Sequence, residues 1–257
     1  KIGPFCRSAE DCGLVLQEIS GGDSRDPGSA GKSFYYTPRF ARKLEEIRVG
    51  FAPVDFDARA EPETRPAFRE AVETIRKTGV KISGAKLPEF PYGAVIGTVM
   101  SAEGSAAFEP LIESGEVDKL LDPKQIAGLR AGLEIPARRY LKAMRIRRLI
   151  HQEFRKLFVD VDVLLAPARF GTAPRVDEPL DRRASAPPSP SSPGLGALTA
   201  AGNLAGLPCL VLPCGFADGL PVAVQLVGRA FSENTLLAVG RAFQERTGWH
   251  RSRPPQA

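Results

Sequence analysis

The sequence contains no apolar run that approaches the roughly 18 residues expected of a membrane-spanning helix. We therefore expect a chain that folds without crossing a membrane. The excess of basic residues is also small, because 35 Lys and Arg stand against 30 Asp and Glu and give a net charge of +5. So weak an excess does not by itself indicate a nucleic acid as partner. What is present is an ordinary composition, in a chain of 257 residues that is long enough to bury a sizeable core.

Cysteine and histidine are scarce, with four and two residues in the whole sequence. The cysteines stand in two distant pairs, Cys6 with Cys12 and Cys209 with Cys214, and neither spacing is usual for zinc. The histidines are isolated from these pairs. We therefore predict no metal site and no cofactor, and we interpret the cysteines as buried, reduced thiols of a cytoplasmic protein.

Familiar catalytic and nucleotide-binding motifs are missing as well. There is no Gly-x-Ser-x-Gly elbow, and neither histidine has a carboxylate or nucleophile at a spacing typical of a triad. The run DPGSAGKS ends in Gly31-Lys32-Ser33 as a P-loop does, but Asp26 occupies the position of the first required glycine. No apolar strand precedes this run, so we expect a solvated loop there. From its residues alone, the chain is a soluble α/β domain without an assembled reaction centre.

The first part of the chain predicts a helix followed by a strand-helix-strand unit. Ser8 and Asp11 form a start similar to a capping box, and Gly21-Gly22 ends the helix. Alternating apolar residues over 47–51 predict a strand, an amphipathic helix ended by Gly79 follows, and VKISGAKL predicts a second strand. Such a unit favours parallel pairing of its two strands.

Three helices are predicted in the middle of the chain: one over Tyr92 to Ser114, a short one capped by Asp122-Pro123, and one over residues 136–158. The apolar stripe of the third helix consists of Ala143, Ile146, Ile150, Phe154 and Leu157. The basic residues on its other side are Arg138, Lys142, Arg145, Arg148, Arg155 and Lys156. This basic side is the best candidate surface for tRNA or a membrane. The complete stripe and the lack of interleaved aromatic residues favour instead the solvated side of a core helix.

The last third predicts strands and a final helix. DVLLAP, closed by Pro167, indicates a buried strand, and the Pro/Ser-rich residues 181–196 indicate a linker or mobile lid. CLVLPC and LPVAVQLVG are separated by Asp218-Gly219, a strong reversal signal, and are predicted to pair as a hairpin. The final helix has Ser232 as its N-cap, with Phe231 and Leu236 spaced as a hydrophobic staple.

Three stretches occur in an order that resembles the amidase signature family. GNLAGLPCLVLPCGFADGLPVAVQLVG, continued by FSENTLLAVGRAFQERTG, resembles the family's C-terminal block. DVLLAPARFGTAP resembles its Asp-Val-Leu-Leu-x-Pro element, and the opening KIGPFCRSAEDCG resembles the Gly-Pro-x-x-Arg-Ser-x-x-Asp segment that follows the family's catalytic region. The resemblance implies an α/β fold, a mixed β-sheet flanked by helices, of which this chain supplies the C-terminal part.

We divide the chain into three parts on this basis. Residues 1–46 are the helix after the signature segment and a connecting loop, and residues 47–135 are an inserted strand-helix-strand and helical region. Residues 136–257 supply the C-terminal part of the mixed sheet with its flanking helices.

The resemblance implies hydrolysis of a carboxylic amide to an acid and ammonia or an amine. The family performs this reaction with a Ser nucleophile, a second Ser held by a cis peptide and a Lys base, with both serines carried by a Gly/Ser-rich segment. No stretch of this sequence resembles that segment, so no residue here is assigned to the triad. We expect the triad to lie upstream of Lys1 and the chain alone to be inactive.

The resemblance also implies which residues contact substrate. Asn203, Gly206 and Pro208 are predicted to lie beside the substrate channel, near the turn from Pro167 to Pro174 and the Pro/Ser-rich segment. A structural role is the alternative for Gly206 and Pro208, which can shape a turn before the following strand.

Two other functions remain open. The related tRNA-dependent amidotransferases have a glutaminase component that supplies ammonia. It carries an acidic residue where this chain has Gly196, and paired arginines where it has LDPKQIAGLR. Both departures favour a general amidase. The other open function is a non-catalytic scaffold.

The expected partners follow from the same resemblance. They are a small amide substrate, the missing N-terminal half of the protein and a second copy in a homodimer. A truncated sheet exposes an apolar edge, so the fragment alone is predicted to self-associate.

Overall fold

In a computed structural model, residues 3–26, 28–37, 42–178 and 194–253 are described, and five strands form one mixed sheet. The strands are β1 (Arg48–Phe51), β2 (Lys81–Gly84), β3 (Val163–Pro167), β4 (Cys209–Ala217) and β5 (Leu220–Gly228). Their order is β2-β1-β3-β5-β4. β1 pairs in parallel with β2 and β3, whereas β5 pairs antiparallel with β3 and β4. The predicted mixed sheet and parallel unit are confirmed.

Helices cover both faces of this sheet. They are α1 (Ala9–Ile19), α2 (Pro53–Phe56), α3 (Arg65–Lys77), α4 (Tyr92–Ala107), α5 (Glu109–Glu113), α6 (Pro123–Leu133), α7 (Ala137–Asp160), α8 (Leu198–Ala205) and α9 (Glu233–Arg246). One core cluster joins the sheet to α3 and α9, and the other joins it to α4, α7 and α8. β3 contributes side chains to both clusters. Val163 and Leu165 belong to the cluster with α3 and α9, and Leu164 and Ala166 belong to the cluster with α4, α7 and α8. Within the described residues, no helix has both the length and the apolar character needed to cross a membrane.

Asp162 ties the start of β3 to the start of β1. Its carboxylate accepts hydrogen bonds from the Arg48 backbone N–H at 2.9 Å and from Arg48 Nε at 3.1 Å, and Arg42 Nη1 donates at 2.8 Å. Burial alone would raise the pKa of Asp162, but these bonds outweigh it and the pKa is lowered. The ionised carboxylate thereby stabilises the parallel pairing of the two strands.

The single helix predicted over Tyr92 to Ser114 is wrong. α4 ends at Ala107, Phe108 leaves the helical conformation with φ −104° and ψ 16°, and α5 begins at Glu109. The cause lies at Pro110, which has no N–H for the carbonyl four residues earlier and whose ring crowds that carbonyl. The predicted α7 is confirmed, beginning one residue later and ending two residues later than expected, and Phe158 extends its buried stripe.

The predicted N-cap hydrogen bond forms in α1 but not in α9. The Ser8 side chain accepts a hydrogen bond from the Asp11 N–H at 3.0 Å, so the cap of α1 is confirmed. Ser232 holds the N-cap position of α9, but its hydroxyl donates to the Arg229 carbonyl at 2.8 Å and makes no capping bond. Phe231 is 63% exposed, with Lys32 Nζ 4.1 Å from its ring centroid, and so forms no buried staple with Leu236.

The predicted C-terminal hairpin is confirmed. Asp218 and Gly219 both have positive φ, 50° and 78°, as a two-residue turn of type I′ requires. The register shifts between Pro213 and Gly215, where a bulge bends β4. In the strand order, β4 is the last strand of the sheet within the described residues, and β5 is its one neighbouring strand.

The Pro/Ser-rich segment predicted as a linker or lid lies outside the described residues except at its end. Leu195 is buried there, and its N–H donates to Asp55 Oδ2 at 2.5 Å. Asp55 is itself fully buried and paired with Arg59. The described end of the segment therefore packs against α2. The three-part division of the chain stays a prediction.

Candidate functional site

A broad concave surface among the described residues lies beside the beginning of β4. Two adjoining hollows, of about 390 and 370 Å³, share the N-terminal residues Gly3 and Pro4, Leu16 of α1, Pro208 and Cys209 before and in β4, and Glu233 of α9. Both are open to the outside. We call them together the edge hollow, because they lie where the sheet ends.

One wall of the edge hollow is polar. Gln225 of β5 is buried, and its Nε2 donates to the Pro167 carbonyl at 2.9 Å and to Thr199 Oγ1 at 3.5 Å. Its Oε1 accepts from Cys209 Sγ at 3.8 Å. Thr199 and Asn203 lie one turn apart on α8, where Asn203 Nδ2 donates to the Thr199 carbonyl at 2.9 Å. The wall therefore presents hydroxyl and amide groups, which suit the polar atoms of a small amide.

The three predicted substrate-binding residues lie at different places. Pro208 lines both parts of the edge hollow and Asn203 lines the one beside α8. Gly206 is not among the described lining residues. It ends α8 with φ 69°, and a Cβ at that position would lie 3.9 Å from Cε1 of His151, on the α7 side. Direct substrate contact by these residues stays a prediction.

The structure also identifies lining residues that the sequence analysis missed. Thr199, Gln225 and Glu233 were not singled out, although Gln225 carried a signal. It is the only polar residue in the apolar run LPVAVQLVG, and a buried polar side chain in a strand requires partners. Its partners here place it in the wall of the edge hollow.

The expectation of uniformly buried thiols is wrong. Only Cys214 is buried, whereas Cys6 and Cys12 are half-buried and Cys209 is exposed. None of the four forms a disulfide in the described part of the chain. Cys6, Cys12 and Cys209 line the same part of the edge hollow, which distance along the sequence had concealed. Burial, and next the neighbouring Cys6, raises the pKa of Cys12 to about 11, so its thiol is a poor nucleophile at neutral pH.

The turn from Pro167 to Pro174 begins behind the polar wall of the edge hollow and runs away from it. The Pro167 carbonyl is held by Gln225, but further along the Phe170 carbonyl accepts from the Glu61 N–H at 2.8 Å and from Thr64 Oγ1 at 3.2 Å. Burial, together with a hydrogen bond to the neighbouring Glu63, raises the pKa of Glu61. The turn thus contacts the polar wall only through the Pro167 carbonyl, and none of its residues is among the described lining residues.

No Ser, Lys or His is among the described residues that line the edge hollow. No group of three or more potential metal ligands occurs elsewhere in the described residues either. The lining residues can accept and donate hydrogen bonds to a bound amide. They do not form the pair of nucleophile and base that amide hydrolysis needs.

Comparison with known proteins gives consistent matches. A family model described as Amidase matches residues 1–237. The A subunit of the glutamyl-tRNA(Gln) amidotransferase of Roseiflexus castenholzii is 33% identical over 287 residues, covering 99% of this chain and 55% of that protein. Its counterpart in Desulforudis audaxviator is 32% identical over 284 residues, covering 100% and 56%.

Solved structures share the fold. A bacterial aryl acylamidase of the amidase signature family superimposes with a TM-score of 0.79 at 19% identity, over 98% of this chain and 55% of that one. The chain spans about half the length of the curated relatives it matches.

Proposed function

This chain belongs to the amidase signature family, and from that membership we propose that it is the C-terminal portion of an amidase. The whole enzyme hydrolyses a carboxylic amide to an acid and ammonia or an amine. The observation that carries the proposal is the edge hollow, which combines a polar wall for an amide with an open side at the last strand of the sheet.

We place the catalytic groups outside this chain, in the region upstream of residue 1. In the proposed reaction, a Ser hydroxyl attacks the amide carbonyl while a Lys, acting through a second Ser, takes the proton. The amine leaves with a proton, and water then hydrolyses the acyl ester to the acid. The lack of Ser, Lys and His among the described lining residues supports the proposal that the catalytic groups lie upstream.

The role proposed for this chain is to hold the amide. Asn203 is exposed on α8, and one of its two Nδ2 hydrogens is donated to the Thr199 carbonyl, which orients the amide. Its Oδ1 is the acceptor that we assign to a substrate N–H. Gln225 is held by three partners and keeps the wall rigid. Pro208 fixes the approach to β4 beneath the site. Gly206 is proposed to act indirectly, by ending α8 so that Asn203 is set in place.

The proposed partner at the open side is the N-terminal half of the same protein. β4 has one neighbouring strand within the described residues, and its Val211 and Phe216 are 55% and 45% exposed. On α1, Leu14 and Ile19 are 49% and 60% exposed, and Phe5 before it is fully exposed. Exposed apolar residues on the last strand and on and before α1 indicate a surface that another segment covers.

A glutaminase component of a tRNA-dependent amidotransferase is the second candidate, because the curated relatives at about one-third identity carry the amidotransferase name. The surroundings of Gly196 argue against glutamine as substrate. A Cβ there would lie 3.3 Å from Arg59 Nη1, whose guanidinium is already paired with Asp55, and glycine itself offers no carboxylate to a substrate amino group. The third candidate, a scaffold without chemistry, requires that no upstream Ser and Lys exist.

Expression of the chain with and without its upstream coding sequence tests the proposal. We expect release of ammonia or amine from simple aliphatic and aryl amides by the longer protein, and none by residues 1–257 alone. Asn203→Ala in the longer protein should raise KM, whereas Gln152→Ala on the exposed side of α7 should leave it unchanged. Glutamine hydrolysis that depends on ATP and charged tRNA would select the amidotransferase, and turnover by residues 1–257 alone would overturn the assignment of the triad.

A further inference from the structure

The outer side of α7 carries a concentration of positive charge that the described residues do not neutralise. Arg138, Lys142, Arg145, Arg148 and Arg155 are exposed, and none of them forms an ion pair in the described part of the chain. Lys156 alone of the six predicted basic residues does so, with Glu153 at 2.7 Å. Some surface arginines on other elements are paired, as in Arg69–Asp57, Arg76–Glu73 and Arg130–Asp118. What distinguishes the outer side of α7 is that five such cations, unpaired within the described residues, lie on one helix.

Apolar side chains interrupt these charges. Leu141, Leu149 and Val159 are 54%, 50% and 68% exposed, and they point away from the buried stripe of Ala143, Ile150 and Phe154. The helix has 24 residues and is about 36 Å long, so the mixed surface is long enough for a helix of similar size. We call Arg138, Leu141, Lys142, Arg145, Arg148 and Leu149 the α7 face.

The helix that carries the α7 face packs against the core, and the α7 face is separate from the edge hollow. Arg147 Nε donates to the Leu204 carbonyl at 2.9 Å, which fixes α7 to the end of α8. Next to this bond is an open depression of about 250 Å³ lined by Met144, Arg147, Arg148, His151 and Arg155. α8 lies between this surface and the polar wall of the edge hollow.

We propose that the α7 face docks an acidic, amphipathic segment of a partner protein. Carboxylates of that segment pair with Arg138, Arg145 and Arg148, for which the planar guanidinium offers two parallel hydrogen bonds. Its apolar side chains cover Leu141 and Leu149, and their burial adds to the attraction between the charges. Arginines among exposed apolar residues are typical of protein interfaces.

Two other polyanions fit the α7 face less well. A single-stranded nucleic acid gains much of its affinity from aromatic side chains on which bases stack, and the α7 face has none. A helix that binds a membrane surface inserts its apolar side, but the main apolar side of α7 is buried in the core. A partner protein uses both the charges and the exposed leucines.

Binding of defined probes to the chain tests the proposal. The main probe is a labelled amphipathic peptide of Glu and Leu in helical spacing, compared with a peptide in which Gln replaces Glu. A single-stranded RNA of similar charge and phosphatidylserine vesicles serve as the other polyanions. We expect binding of the Glu peptide only, with an affinity that falls as salt is raised.

Variants test whether peptide binding depends on the α7 face or on the positive charge of the chain in general. Arg145→Glu with Arg148→Glu should weaken peptide binding by at least about tenfold, since each reversal replaces an attraction by a repulsion. Leu141→Ala should weaken it about threefold. The matched control, Arg76→Glu with Arg130→Glu, should leave it unchanged, and circular dichroism should show the same helix content throughout. Binding of RNA or vesicles without dependence on Leu141, or no binding of the Glu peptide, would overturn the proposal.

Discussion

Replacement of Asp162 by Asn tests the connection between β1 and β3. The carboxylate side chain is 15% exposed and accepts from Arg48 and Arg42, whose side chains are 38% and 49% exposed. Asn keeps one acceptor oxygen but loses the charge and places an N–H₂ group against a guanidinium. Hydrogen bonds to charged groups contribute about 1.5–3 kcal/mol each, and partial exposure of both arginines screens them, so we expect a loss of about 2 kcal/mol. For a chain of this size, the melting temperature should fall by about 4–8 °C at pH 7.

The same change should depend on pH. The pKa of Asp162 is lowered in the folded chain, because the Arg48 and Arg42 bonds outweigh the effect of burial. A lowered pKa contributes stability that is present above the unfolded value of about 3.9 and is lost as the pH falls through the folded value. The difference between wild type and Asp162→Asn should therefore be largest near neutrality and shrink in acid. Thermal melts across that range measure it.

The exposed pair of Asp23 and Arg25 provides the control. Their side chains are 49% and 89% exposed, so Asp23→Asn should change the melting temperature little at any pH. Equal melting temperatures of wild type and Asp162→Asn at pH 7 would refute the reasoning. A loss of stability that stays constant into acid would refute the electrostatic part of it.

Three further changes have defined expectations. Gly206→Ala should lower the free energy of unfolding by about 1–2 kcal/mol, because φ at Gly206 is 69°. Gly97→Ala, in open space on α4, should raise it by about 0.5–1 kcal/mol, and urea melts compare the two variants. Gln225→Leu leaves the buried Pro167 carbonyl without its partner and should cost about 1–3 kcal/mol in the same assay. Glu61→Gln should flatten the pH dependence of the free energy of unfolding. Burial and then the neighbouring Glu63 carboxylate raise the pKa of Glu61 in the folded chain. The stability that Glu61 contributes is therefore present below its unfolded pKa and is lost as the pH rises through its folded pKa. An unchanged pH profile of that variant would contradict this sign.

Local patterns predicted much of the fold. The hairpin followed from Asp218-Gly219 between two apolar runs, and β3 followed from DVLLAP, because turn residues and apolar runs act over a few positions. The break between α4 and α5 was equally local and could have been predicted from Pro110. The order of the strands could not, since it depends on pairs that are distant in sequence.

The candidate site was less predictable. Asn203 and Pro208 were identified through the resemblance, and both line the edge hollow. The approach of Cys6 and Cys12 to Cys209 joins opposite ends of the chain and leaves no periodic signal. Gln225 was detectable as a polar residue in an apolar strand, but its partners Pro167 and Thr199 come from other elements.

The central position of β3 has a kinetic consequence. Its bond to β1 through Asp162 and Arg48 closes a separation of 114 residues, whereas β4 and β5 meet through a two-residue turn. Contacts between distant residues form slowly, because the entropy of the intervening chain is lost before the contact contributes. We therefore expect the hairpin to form first, β3 to join it next, and the pairing of β1 with β3 to limit the rate at which this chain folds.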